Sequence, residues 1–144
     1  MDREQAVTRI VQLFETLAPQ DVARLGEFYM PDAWFKDPFH EVRGLGEVQR
    51  IFAHMFEALQ APRFIVTARI VQGDQCFLAW EFRFAFRSWR RGREQVVRGG
   101  SHLGLAADGR VAWHRDYWDA AEELYGKLPL LGGLMRWLAR RAAA

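Results

Sequence analysis

At Arg63 the spacing of apolar residues changes from three-and-four to two, and this change constrains the fold more than any other feature of the chain. Before it, Val7, Ile10, Val11, Phe14 and Leu17 mark one face of a helix that starts after Asp2 and is stopped by Pro19. Asp21 is placed to cap a second, shorter helix that shows Val22, Leu25, Phe28 and Tyr29 on one side and ends before Pro31. A third follows Gly44 and Gly46, with Val48, Ile51, Phe52, Met55, Phe56 and Leu59 in phase and Pro62 closing it. Between the second and third helices lies a short aromatic strand, Ala33 to Asp37, broken by Pro38.

Beyond Arg63 the chain reads as strands. Phe64 to Val71 is rich in β-branched residues and ends at the turn signal Gly73-Asp74. Cys76 to Trp89 alternates, with Leu78, Trp80, Phe82, Phe84 and Phe86 as its apolar positions. A turn around Gly92 returns the chain as Gln95 to Leu105, and Asp108-Gly109 turns it again into Arg110 to Trp118. Turns this tight make an antiparallel meander. Helices first and strands after predict an α+β domain, a curved sheet with helices on one face. Residues 119–144 read as two short helices separated by Pro129, a helical extension (121–144) of the same domain.

Composition narrows the function classes. The chain has 144 residues, enough for one domain with a sizeable core, and half of them are hydrophobic. Six Trp, 11 Phe and 3 Tyr are not the composition of a disordered chain. No stretch approaches ~18 uncharged apolar residues, so no membrane span is expected. The opening residues MDREQ carry charge at once, and no secretory leader is expected. The single cysteine, Cys76, excludes an internal disulfide and a cysteine metal cage, which points to a reducing cytoplasm. The formal net charge is only +2. The basic knot Arg87, Arg90, Arg91 and Arg93 around Gly92 reads as a solvated hairpin tip, so no nucleic-acid partner is expected. His40, His54, Asp37 and Glu57 show no recognised ligand spacing, and neither a metal nor a cofactor is expected.

Strand alternation sorts the candidates for chemistry. The even positions of 76–89 form an aromatic wall facing the helices, which turns Glu81 and Arg83 away. Val97, Gly99, Ser101 and Leu103 are the matching inward set on the next strand. On the last strand both faces carry aromatics: Ala112, His114, Asp116 and Trp118 share one, and Trp113, Arg115 and Tyr117 the other.

The order of three helices, a short strand and a long curved meander resembles the nuclear transport factor 2-like fold over about residues 4–120, with 1–120 as the domain. Ala33-Trp34-Phe35-Lys36-Asp37-Pro38 resembles the Asp-Pro strand of the ketosteroid isomerases, in which that aspartate is the general base. Trp113-His114-Arg115-Asp116-Tyr117-Trp118-Asp119 resembles the last strand of the limonene epoxide hydrolases and of the SnoaL-type polyketide cyclases, where the matching aspartate is catalytic. Leu13 or Phe14 stands where the isomerases carry a helix-one tyrosine, Ser101 where they carry a protonated acid, and Phe82 and Phe84 where the hydrolases carry Arg-x-Asp. The resemblance implies that His114, Asp116 and Trp118 face inward.

Asp37, Asp116 and His114 are then the catalytic candidates, and Phe35, Trp80, Phe82, Phe84, Ser101, Trp118 and the rim residue His40 the ligand-binding ones. Two carboxylates and an imidazole among aromatic walls predict proton transfer on a small apolar carbonyl compound: isomerisation, cyclisation or dehydration without a cofactor. In this scheme proton transfer runs through Asp37, with Asp116 and His114 as partner acid or orienting groups. At least one of the two carboxyls stays partly protonated to donate to the substrate oxygen, while the ionised partner takes the carbon-bound proton. The second reading is a module that binds an apolar ligand, or a protein, with no chemistry. His54 is expected to be a core or interface group and Cys76 structural. The outward set, Arg69, Arg83, Arg98, His102, Trp113, Arg115 and Tyr117, suits a homodimer formed through the outer sheet face. Leu130, Leu131, Leu134, Met135 and Leu138 form a stripe expected to cover the open end of the fold or the partner subunit, rather than to contact a membrane.

Overall fold

A computed structural model describes residues 2–88, 91–123, 137–138 and 140–142. Helix α1, Arg3–Glu15, begins where Asp2 accepts the backbone N–H of Glu4, and it buries Val7, Ile10, Val11 and Phe14. A 3-10 helix follows at Pro19–Glu27. Asp21 caps it from inside, its carboxylate reaching back to the N–H of Ala18 at 2.9 Å. Helix α2, Leu45–Ala58, starts at Gly44, whose φ of 109° favours glycine.

The strands are β1 (Tyr29–Lys36), β2 (Glu41–Arg43), β3 (Leu59–Gln72), β4 (Gln75–Phe86), β5 (Gln95–Leu105) and β6 (Val111–Trp118). They form one six-stranded sheet in the order β2-β1-β6-β5-β4-β3. The meander β3 to β6 is antiparallel as expected. Strand β1 instead lies parallel to β6, which makes the sheet mixed. The chain must cross the helical layer between them, and a tight turn cannot make that crossing.

Three local expectations change. Tyr29 is the first residue of β1 rather than the end of a helix. The strand after α2 starts at Leu59, so Pro62 lies within β3 instead of closing the helix. The pairing shifts between Gln60 and Arg63, beside Ala61 with its φ of 50°, and an edge-strand irregularity of this kind tolerates a residue with no N–H. The three-residue strand β2 is too short to show a period.

The core lies between α1, α2 and the inner face of the sheet. On the outer face the rings of Phe77 and Trp113 lie over Gly100 and Gly104, where any Cβ would overlap them. Arg83 pairs with Glu81 and Glu94 on that face, as strand parity requires. A short helix α3, Ala120–Glu123, is capped by Asp119 and holds Arg98 through Glu123 at 3.1 Å. The remaining tail expectations, the break at Pro129 and the stripe from Leu130 to Met135, lie outside the described residues; Leu138 is described and exposed. Among the described residues, no helix is long and apolar enough to cross a membrane.

Candidate functional site

The inner face of the sheet and the underside of α1 and α2 enclose a cavity of about 370 Å³. All ten residues picked from the sequence line it: Phe35, Asp37, His40, Trp80, Phe82, Phe84, Ser101, His114, Asp116 and Trp118. The alternation of β4 and β5 accounts for four of them, Trp80, Phe82, Phe84 and Ser101. Phe82 stacks on Phe64 of β3 at 4.4 Å between ring centres and leans on Phe84 of its own strand at 5.0 Å, so the wall continues across two strands. Phe39 meets Trp118 edge-on at 5.5 Å at the other end.

The polar end of the cavity is a single hydrogen-bonded chain. Ser101 of β5 is the cross-strand partner of Asp116 of β6, and Phe35 of β1 is the partner of His114. Register therefore puts the serine and the aspartate side by side on the inner face. The indole N–H of Trp80 donates to Ser101 Oγ at 2.9 Å, and Ser101 O–H donates to Asp116 Oδ1 at 2.5 Å. Gly99 makes room for this, because a Cβ there would lie 2.8 Å from the Trp80 ring and 2.8 Å from Trp118 Cβ. From the other side, His114 Nε2 approaches the same Oδ1 at 2.6 Å. Its Nδ1 lies 2.7 Å from the phenol oxygen of Tyr29.

Hydrogen-bond accounting fixes the direction of every bond in the chain. Tyr29 is fully buried, and His114 Nδ1 is the only side-chain partner its phenol has among the described residues. Burial, together with the charge of Asp116, pushes the Tyr29 phenol well above its usual value, so it keeps its proton. That proton must go to Nδ1, which assigns the ring hydrogen of His114 to Nε2 and aims it at Asp116. Donors converge on Asp116 from Tyr29 through His114 and from Trp80 through Ser101. Oδ1 receives both, while Oδ2 accepts no hydrogen bond from the described residues, and Asp116 lines the cavity. Packing holds the imidazole as well: its ring centre lies 4.7 Å from Phe35 and 5.8 Å from Phe14.

Asp37 behaves differently. Its carboxylate turns back on the Pro38 loop, where Oδ1 accepts the N–H groups of Phe39 at 2.8 Å and His40 at 2.7 Å. The His40 ring Nδ1 approaches the same oxygen at 2.9 Å and Oδ2 at 3.1 Å. An aspartate before proline that closes its own turn is held by the loop, and this overturns the scheme in which Asp37 and Asp116 act as a free pair. His54 differs from its expectation too. Its side chain is 75% exposed, at the mouth of the cavity and 4.0 Å from Glu57 rather than in a core. No group of three metal-binding side chains occurs among the described residues. Cys76 is buried, consistent with a structural role.

Tyr29 is the site residue that sequence reading missed. Its spacing from Val22 and Leu25 fits a helical stripe as well as a strand start.

A family model, the SnoaL-like domain, matches residues 10–114. No curated protein matches the sequence. Solved structures share the fold. A Jannaschia sp. CCS1 protein assigned provisionally as a SnoaL-like polyketide cyclase superposes with a TM-score of 0.71 at 22% identity, covering 83% of this chain and 89% of that one. A hypothetical protein of Catenulispora acidiphila with the ketosteroid isomerase-like fold, crystallised with trimethylamine, gives 0.70 at 14% identity, with coverage of 85% and 92%. A nuclear transport factor 2-like protein of unknown function from Burkholderia pseudomallei gives 0.70 at 18%, with coverage of 85% and 95%.

Proposed function

The chain belongs to the SnoaL-like domain family, and on that premise we propose that its cavity binds one small, largely apolar molecule anchored at Asp116. One observation carries this reading: Trp80, Ser101, His114 and Tyr29 all donate toward Asp116, leaving its second oxygen as an acceptor at the polar end of an aromatic cavity. The ligand that fits presents a donor to that oxygen and rings to the walls. Protein interiors satisfy buried polar groups, and a carboxylate oxygen left open toward a cavity is an invitation to a donor.

A second reading, proton transfer by Asp116 on a carbonyl compound, draws support from the same chain. A carboxylate held in place by two donors is a competent base for a carbon-bound proton. The donors of Trp80, Ser101, His114 and Tyr29 are already committed, which leaves only the Trp118 indole N–H and the exposed His54 ring among the described lining residues to meet a developing oxyanion. Binding without chemistry therefore stands first.

Calorimetry with 2-naphthylmethanol tests the first reading. In Asp116→Asn the His114 and Ser101 donors hold the substituted amide by its oxygen, so its NH2 group takes the place of Oδ2 and the cavity loses its acceptor. The alcohol should bind the wild type and weaken at least about tenfold in the variant, since a hydrogen bond to a charged group contributes about 1.5–3 kcal/mol. Equal affinity for both proteins overturns the anchor. Deuterium exchange at the α-carbon of 1-indanone tests the second: acceleration of about a hundredfold or more, lost in Asp116→Asn, would promote it above the first. Exchange at the buffer rate leaves only binding.

A further inference from the structure

We infer that the ligand of this cavity is an organic cation, an ammonium group carried on an apolar body; the inference rests on the binding function proposed for the same cavity. The first ground is charge. Among the described residues, the cavity is lined by two carboxylates, Asp37 and Asp116, and by no lysine or arginine. Both carboxylates are poorly exposed, with 14% and 16% of their side-chain surface open. A carboxylate in an apolar cavity with no cation beside it is costly, and a cationic ligand relieves that cost where a neutral one does not.

The second ground is the donor inventory. Trp80 donates to Ser101, Ser101 and His114 to Asp116, and Tyr29 to His114. At the rim, the His40 ring spends its Nδ1 on Asp37, so in the neutral imidazole Nε2 is an acceptor. What these groups leave for a ligand is acceptors, Asp116 Oδ2 and His40 Nε2. A carbonyl or carboxylate ligand finds no donor among them; the uncommitted N–H groups of the described lining are the Trp118 indole and the His54 ring, the latter 75% exposed at the mouth. An ammonium finds both a charge partner and acceptors.

The third ground is the wall. Phe35, Phe64, Trp80, Phe82, Phe84 and Trp118 surround the space next to Asp116. Aromatic faces attract a cation through the ring quadrupole, and the attraction grows as water is excluded. With a carboxylate at one end and rings around it, the cavity is complementary to an alkyl- or arylalkyl-ammonium ion in both charge and shape.

Three probes on one ring system isolate the charge: 2-naphthylmethylammonium, 2-naphthylmethanol and 2-naphthoate, titrated calorimetrically near pH 7.5 into wild type and Asp116→Asn. The ammonium should bind at least about tenfold more tightly than the alcohol, and the carboxylate more weakly than either. In Asp116→Asn the advantage of the ammonium over the alcohol should shrink to within about twofold of parity. Circular dichroism and residual binding of the alcohol report that the variant remains folded. Should the variant unfold, Phe82→Leu replaces it and should reduce the ammonium preference by removing one ring face. If the alcohol binds as tightly as the ammonium, or the carboxylate binds best, the cation inference falls while the binding function stands. If none of the three binds, both fall.

Discussion

At the scale of single residues, Tyr29 controls the site without touching the cavity. It fixes the tautomer of His114, His114 orients Asp116, and the free oxygen of Asp116 follows from that order. Replacing Tyr29 by phenylalanine leaves Nδ1 buried with no donor and should cost about 1–3 kcal/mol in urea unfolding, because an unsatisfied buried group keeps its desolvation penalty. The same residue and Cys76 make stability fall at high pH. Burial pushes the Cys76 thiol from 9.0 up to about 11, and the Tyr29 phenol rises well above its ordinary 10.0. Both groups give up their protons more readily in the unfolded chain. Their contribution is fully present below pH 9 and is lost as the pH climbs from 9 toward 11 and beyond. Urea midpoints should therefore decline over this interval, and the decline should be shallower in Tyr29→Phe and in Cys76→Ala. A slope identical to the wild type in both variants would refute this origin.

At the scale of elements, strand parity was legible and chain direction at strand ends was not. The apolar alternation of β4 and β5 told correctly which side chains look inward, because a one-residue slip would have put Trp80, Phe82 and Phe84 outside. Parity also gave two consistent sets on β6, and the family resemblance chose the right one. Asp37 was harder. Parity aims it inward, yet β1 ends at Lys36 and the Pro38 turn captures the carboxylate, a local competition that residue spacing does not encode. Tyr29 was lost for a similar reason: a nine-residue 3-10 helix ends earlier than the apolar stripe suggests. Gly99 is the clearest element-level handle. A Cβ there would overlap the Tyr117 carbonyl oxygen, Trp118 Cβ and the edge of the Trp80 indole, so Gly99→Ala should destabilise by about 1–3 kcal/mol, the usual cost of overpacking. Gly46→Ala in the first turn of α2 meets nothing within 4 Å and should be neutral, or stabilising by up to about 1 kcal/mol. Equal effects of the two substitutions in urea titrations would show that the Trp80 seat is not tight.

At the scale of the whole molecule, the sheet divides two surfaces with different tasks. Its inner face carries the cavity, and its outer face exposes Ile70, Phe77 and Tyr117 beside the half-buried Trp113 and the cation Arg115, which lies over the Tyr117 ring. We propose that this outer face pairs two copies of the chain. Sedimentation at micromolar concentration should give about 34 kDa, twice the 16.8 kDa chain, and Tyr117→Glu should return it to the monomer. A single monomeric species for the wild type would rule the pairing out. The central claim, however, concerns the inner face: a directed chain of donors that leaves one oxygen of Asp116 for a ligand. Nitrogen-15 spectroscopy of the His114 ring reads that chain directly. The account predicts a neutral imidazole with its hydrogen on Nε2, an unprotonated Nδ1 accepting from Tyr29, and an Nε2 signal that moves when 2-naphthylmethanol or its ammonium analogue occupies the cavity. A ring protonated on Nδ1, or one whose signals ignore a bound ligand, would contradict it.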